Sequence, residues 1–244
     1  MSETSKREGS VRIARVFGID ILVHWSFVLL IPLIALESTD RKQFWMNSLW
    51  IVAVFGSVLV HEFAHCYVAR RRGAVVEDIL LTPIGGLSEM QQIPRAPLDE
   101  ARIAVVGPLT SLVLGLALAG IGALAGARLW PPTLFAGSWF SRLAWLNIVL
   151  GGFNLLPALP MDGGRVFRAL LAKRHDRRTA TRIAGQTARV IAVVMAVAGV
   201  LYDYWLVIIA IFVWLGAQSE EDAADNLTGT GGRRDGRSTG PRDS

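Results

Sequence analysis

The sequence predicts an all-α polytopic membrane protein: six transmembrane helices, with a small β or re-entrant element on the cytoplasmic side after the second. Three observations carry this. Hydrophobic residues make up 52% of the 244 and charged ones 18%, with a mean hydropathy of +0.42, whereas a soluble domain carries nearer a quarter charged. The apolar residues fall in blocks of membrane-crossing length. The basic residues collect on one predicted side. Disorder of the whole chain is excluded, because this much apolar surface must be buried, and the single Cys66 excludes an intramolecular disulfide framework.

Residues 1–18 are polar and basic and read as a cytoplasmic N-terminal segment. Residues 19–36 form an 18-residue apolar stretch containing one histidine, His24. Glu37-Ser38-Thr39 follows with no small-x-small cleavage site, so the stretch reads as an anchor and not a cleaved signal. Residues 48–69 are apolar apart from His61, Glu62, His65 and the neutral Cys66 and Tyr67. Blocks 103–127 and 139–160 follow, the latter interrupted by Arg142 near its start. Each can cross a hydrocarbon core of about 30 Å, which takes roughly 20 helical residues.

Residues 183–217 are too long for one crossing and are broken by Tyr202-Asp203-Tyr204. They read as a tight hairpin of a fifth and a sixth helix, although 204–217 is shorter than the ~17 residues usually required. One domain thus covers 19–217. Residues 218–244 read as a disordered polar tail, rich in Gly, Arg, Asp, Ser and Thr.

With six spans and the N-terminus inside, 21 of the 25 Lys and Arg fall on the inner side, and Arg41, Lys42, Arg128 and Arg142 fall outside. Basic residues favour the cytoplasmic side, which places both termini there. Trp45, Trp50, Trp130, Trp139, Tyr202, Tyr204 and Trp205 lie at predicted outer ends, as an interfacial aromatic belt requires. The net charge of +5 is then a topology signal, and nucleic-acid binding loses its support.

Two polar constellations sit inside the apolar blocks. His61-Glu62-Phe63-Ala64-His65 has the H-E-x-x-H pattern. On a helix both imidazoles point to one side and can share a metal, with Glu62 placed to hold the proton of an activated water. The plainer reading makes both histidines neutral, satisfied by carbonyls, with Glu62 protonated. Each ionisable group at membrane depth costs about 2.5 kcal/mol or more unless paired, which weighs against three in five residues as filler.

The second constellation runs from Asn154 through Pro157, Pro160, Asp162, Gly163 and Gly164 to Arg165. Two prolines and a glycine pair predict unwound backbone, tolerated at membrane depth only where protein buries it or a watery cavity meets it. Asp162 is alternatively a cap of the next helix. His65 lies five residues, roughly 7.5 Å, above the basic inner edge at Arg70, and Asp162 lies three residues before Arg165, at a similar depth. Two histidines and a carboxylate make the three protein ligands of a catalytic zinc site.

On these residues the sequence resembles the site-2 protease family of intramembrane zinc metalloproteases, in the bacterial and archaeal branch with six transmembrane helices. Thr82-Pro83-Ile84-Gly85-Gly86-Leu87 and Gly107-Pro108-Leu109 add weaker matches. The resemblance implies one Zn2+ held by His61, His65 and Asp162, with Glu62 as general base. Asn154 matches an asparagine that holds substrate or the developing oxyanion; an interhelical hydrogen bond is its structural alternative. The implied substrate is a transmembrane segment of a single-pass, anti-sigma-factor-like protein. No insert is long enough for the PDZ domain many members carry, and the tail is too short and polar for CBS domains.

Residues 74–90 predict a short sheet or re-entrant loop whose free edge pairs with an extended substrate, or else an ordinary cytoplasmic hairpin. His24 reads as a packing or interfacial histidine, His175 as solvent-facing, and Gly122 and Gly126 as a small-residue packing pair. Cys66 points about 100° away from His65 and is declined as a ligand. Two competing functions remain open: a metal or proton transporter using the same His, Glu and Asp groups, and a protease scaffold that binds membrane partners without cutting them.

Overall fold

The computed structural model describes residues 9–83, 85–91, 96–132, 134 and 137–229. Ile84 of the Thr82–Leu87 motif and the tail beyond 229 lie outside the described residues. The chain divides into two compact units, Met1–Asn154 and Leu155–Ser244.

The first unit begins with β1 (Ser10–Val16) and β2 (Ile19–His24), joined by a two-residue turn at Phe17-Gly18 with φ of 50° and 77°. These are the positive values of the turn that suits the twist of a hairpin. A 3-10 turn (Trp25–Leu29) and the short α1 (Leu30–Leu36) follow. The continuous helix expected over 19–36 is therefore absent. Hydropathy alone does not distinguish strand from helix. Ile19, Ile21 and Val23 alternate, which sends them to one face of a strand, and Asp20 stands at its start. His24 caps the 3-10 turn, its Nδ1 accepting from Ser26 N.

The long α2 (Arg41–Arg71) starts at Asp40, whose side chain accepts from Gln43 N, and stops before Gly73 at φ 86°. Arg70 donates to Phe17 O, which ties the β1–β2 turn to one end of α2 while Asp40 caps the other. Residues 18–40 must therefore cover the length of α2, about 45 Å at 1.5 Å per residue. Strand, 3-10 turn and short helix in series run that length where a single helix was expected.

The hairpin β3 (Val75–Thr82) and β4 (Gly85–Gln91) completes a four-stranded sheet in the order β1-β2-β3-β4, with β2 parallel to β3 and the other pairs antiparallel. The element expected after the second helix is present and doubled in size by the N-terminal strands. Ile19, Ile21, Val76, Ile79 and Leu81 of the sheet pack on Cys66 and Ala69 of α2 and on Ile103. That core holds the sheet beside the end of α2 that carries the two histidines.

Next come α3 (Pro97–Leu124), with Pro97 in the first turn where its missing N–H is harmless, and α4 (Trp139–Asn154). Arg142 is accommodated in an apolar helix by its surroundings: its guanidinium lies 3.9 Å from the Trp50 ring centroid, and its Nε donates to Leu134 O. Gly122 lies against Phe140, whereas Gly126 ends the helix at φ 75°, so the two are not a packing pair.

The second unit holds an irregular stretch over 155–161, then α5 (Asp162–Leu171), α6 (Arg177–Tyr202) and α7 (Tyr204–Gly229). Ala180, Ala184, Ala188 and Ala192 recur every four residues on α6, all buried, and their size lets α7 approach closely. The disordered tail expected from 218 begins instead as helix, to Gly229. The reason is ionic: Glu220, Glu221 and Asp225 of α7 pair with Arg168, Arg189 and Arg178. Among the described residues, three helices, α2, α3 and α6, are long and apolar enough to cross a membrane.

Candidate metal centre

Helix α2 sets Ser57, His61 and His65 at four-residue intervals, which places them on one face. Both imidazoles are buried, 4% and 3% exposed, with their Nε2 atoms 3.1 Å apart. Each Nδ1 is engaged on the far side of its ring. His65 Nδ1 donates to Ile103 O at 2.6 Å, and His61 Nδ1 lies 3.0 Å from Ser111 Oγ. A carbonyl only accepts, so His65 carries its proton on Nδ1 and presents a lone pair at Nε2.

Helix α3 crosses this pair at Gly107. A Cβ there would overlap His65 Nε2 and stand 2.8 Å from His61 Nε2, so the backbone approaches the rings as closely as glycine permits. Four residues on, the same helix delivers Ser111 to His61. Glu62 turns toward the sheet: a Cβ at Gly86 on β4 would come within 2.7 Å of its Cγ. One strand edge thus runs beside the carboxylate expected to act as base.

Asn154 ends α4, and its Nδ2 donates to Leu150 O one turn back, a bond within its own helix and not between helices. In the second unit Asp162 opens α5, 8% exposed, with Oδ1 3.7 Å from Arg165 Nη1. It does not cap the helix, since Met161 holds that position. A Cβ at Gly163 or Gly164 would overlap the backbone of 155–156 or 158–159, so the glycine pair lets the irregular stretch fold back on the start of α5.

The pattern defining peptidase family M50 matches residues 49–138 and 133–199, which include the H-E-x-x-H helix, Gly107 and Asp162. The chain belongs to peptidase family M50. It is 37% identical over 213 residues, 86% of its length, to a zinc metalloprotease of Methanocaldococcus jannaschii. It is 32% identical over 233 residues, 87% of its length, to Rip3 of Mycobacterium tuberculosis. The chain spans about three fifths of the length of these curated relatives, 60% and 58%. It also resembles the solved structure of a site-2 protease from Methanocaldococcus jannaschii, with TM-score 0.64 and 34% identity, covering 87% of this chain and 95% of that one.

The donor set of this M50 chain fits a metal ion. Two imidazoles whose Nδ1 atoms are held from behind bring their remaining nitrogens to 3.1 Å in a buried site, with His65 presenting its Nε2 lone pair there. Metal-ligating histidines characteristically have the other ring nitrogen fixed in this way.

Ser111 and the Ile103 carbonyl were not singled out from the sequence. The available signal was Ser111 one helical turn beyond Gly107 in an apolar block, matching Ser57 one turn before His61. Asn147, fully buried, belongs with them: its Nδ2 donates to Ser57 Oγ at 3.0 Å and to Leu143 O at 2.9 Å. Cys66 is buried in the packing between α2 and the sheet, and His175 is exposed.

Proposed function

We propose that this chain is an intramembrane zinc metalloprotease that hydrolyses peptide bonds in or near transmembrane segments of other membrane proteins. The observation that carries the reading is the buried His61–His65 pair, fixed from behind by Ser111 and Ile103, with Glu62 of the same helix turned to a strand edge. Asp162, buried at the start of α5, is the third ligand of the proposed site. Two histidines and one carboxylate leave a coordination position open, as a catalytic zinc requires.

When bound, zinc supplies the Lewis acidity that activates water near neutral pH and polarises a peptide carbonyl. Glu62 accepts the proton of the attacking water and returns it to the leaving nitrogen. The second N–H of the Asn154 amide, beyond the one given to Leu150 O, donates to the substrate carbonyl. β4 is an edge strand, and a substrate unwound into an extended strand pairs along it, bringing its backbone beside Glu62. The substrate class is a single-pass protein, an anti-sigma-factor-like protein being one example. The distribution of basic residues supports a multi-pass chain in the cell membrane with six crossings and both termini cytoplasmic, the first crossing made by mixed strand and helix.

Purified chain reconstituted in bilayers with a single-pass substrate tests this. Glu62→Gln should lose cleavage by about 10²-fold or more while still binding zinc, and His61→Ala and Asp162→Ala should lose zinc. Equal cleavage by Glu62→Gln and its parent would refute the catalytic assignment. Undiminished zinc in Asp162→Ala would remove Asp162 from the site.

A further inference from the structure

The β1–β2 turn carries a residue its backbone does not favour. Phe17 occupies the first position with φ 50°, where Asn, Asp or Gly is the usual choice, and its side chain is 87% exposed. Among the described residues, no packing of the side chain offsets this conformation. The turn is also fixed in place, since Arg70 donates to Phe17 O from the last turn of α2. α2 is long and apolar enough to cross a bilayer and ends in Arg70 and Arg71. The phenyl ring therefore stands where this helix leaves the hydrocarbon.

Phe17, Tyr67, Arg70 and Arg71 line a cleft of about 530 Å³. Arg71 donates to Tyr67 OH at 2.8 Å and lies 5.1 Å from the centroid of that ring. Among the described residues neither Arg70 nor Arg71 has a carboxylate partner, whereas the next residue, Arg72, pairs with Asp99 at 2.9 Å. Two guanidinium groups and two aromatic rings at the end of a membrane-length helix match an amphipathic anion, with the charge at the arginines and the hydrocarbon against the rings.

We propose that this cleft binds the headgroup of an anionic phospholipid, its phosphate held by Arg70 and Arg71 and its acyl chains lying against Phe17 and Tyr67. An arginine near the surface of an anionic membrane contributes about a fivefold gain in affinity. Phe17 gives the site its preference for a lipid over a free anion, which explains a bulky residue in a position suited to Asn or Gly.

Native mass spectrometry of the purified full-length chain tests the site with phosphatidylglycerol, phosphatidylcholine and inorganic phosphate as separate probes. The parent should retain phosphatidylglycerol in preference to phosphatidylcholine, and millimolar phosphate should not displace it. Arg71→Gln leaves the Arg70–Phe17 tie intact and should weaken phosphatidylglycerol retention about fivefold. Phe17→Gly, which suits the turn and keeps both arginines, should also weaken it without lowering the melting temperature. Equal retention by the parent and both variants would overturn the proposal. So would equal retention of the two lipids, or displacement by phosphate, which would mark a site for free anions. None of these readouts depends on proteolysis, so they stand or fall apart from the function proposed above.

Discussion

Ser111 Oγ lies 3.0 Å from His61 Nδ1, both groups buried, joining α3 to the first histidine of α2 across 50 residues of sequence. The hydroxyl fixes which ring nitrogen faces its partner histidine, and hence which one can ligate. Ser111→Ala should weaken zinc binding roughly 10- to 100-fold, the usual effect of losing a group that orients a ligand. Competition against a chelator of known affinity measures it. Ser111→Thr, which keeps the hydroxyl, should recover most of the loss; equal weakening in both variants would indicate disturbed packing instead.

Gly107 and Gly120 both lie in α3 and make a matched pair. A methyl at Gly107 would overlap the His65 ring, while one at Gly120 would meet nothing within 4 Å. Gly107→Ala should purify with less than about half the parent's zinc, because the ring must move away from the site proposed for the ion. Gly120→Ala should keep the parent's zinc content. Circular dichroism should show both helical.

The acidic end of α7 is held by ion pairs, and in Arg189–Glu221 both partners are partly enclosed, with side chains 34% and 21% exposed. Gly185 makes room for it, since a Cβ there would overlap the Glu221 carboxylate. A double-mutant cycle with Arg189→Gln and Glu221→Gln should give a coupling of about 1 kcal/mol in thermal unfolding, at the upper end for pairs with solvent access. A coupling indistinguishable from zero would mean that apolar packing alone extends α7.

Asp176 caps α6 outside the apolar stretch, and its side chain accepts from Thr179 N at 3.0 Å. That hydrogen bond holds its pKa below the usual aspartate value of 3.8. A depressed carboxylate contributes stability that is fully present above the unfolded-state value and is lost as the pH falls through the folded-state one. The stability difference between the parent and Asp176→Ala should therefore be constant from neutral pH down to about 5 and shrink below about 4. A difference unchanged by acid would assign the cap to a different interaction.

Several features were legible because they depend on local spacing. The i, i+4 separation of His61 and His65 places both rings on one face of any helix, and Pro157 and Pro160 interrupt the helix over 155–161, whereas Gly163 and Gly164, expected in unwound backbone, lie in the first turn of α5. The first block was misread because a sum of hydropathies has no direction. Ile19, Ile21 and Val23 alternate, but the strand they form is completed by pairing with residues such as Asp78 and Ile79, nearly 60 positions later. The tail was misread for a related reason: Glu220, Glu221 and Asp225 look like solvated charge until their arginine partners on α5 and α6 are placed beside them.

What the sequence by itself determined is the chemistry available: two imidazoles and a carboxylate at helical spacing, in segments too apolar for water to satisfy them. Only the tertiary structure decided how those groups are oriented. Ser111, the Ile103 carbonyl, Gly107 and Gly86 act on the α2 residues from other elements, through hydrogen bonds and close approaches that exist only once α3 and the sheet are packed against α2. Spacing along one helix sets the direction of a side chain, whereas its rotamer, tautomer and neighbours are set by whatever that side chain meets.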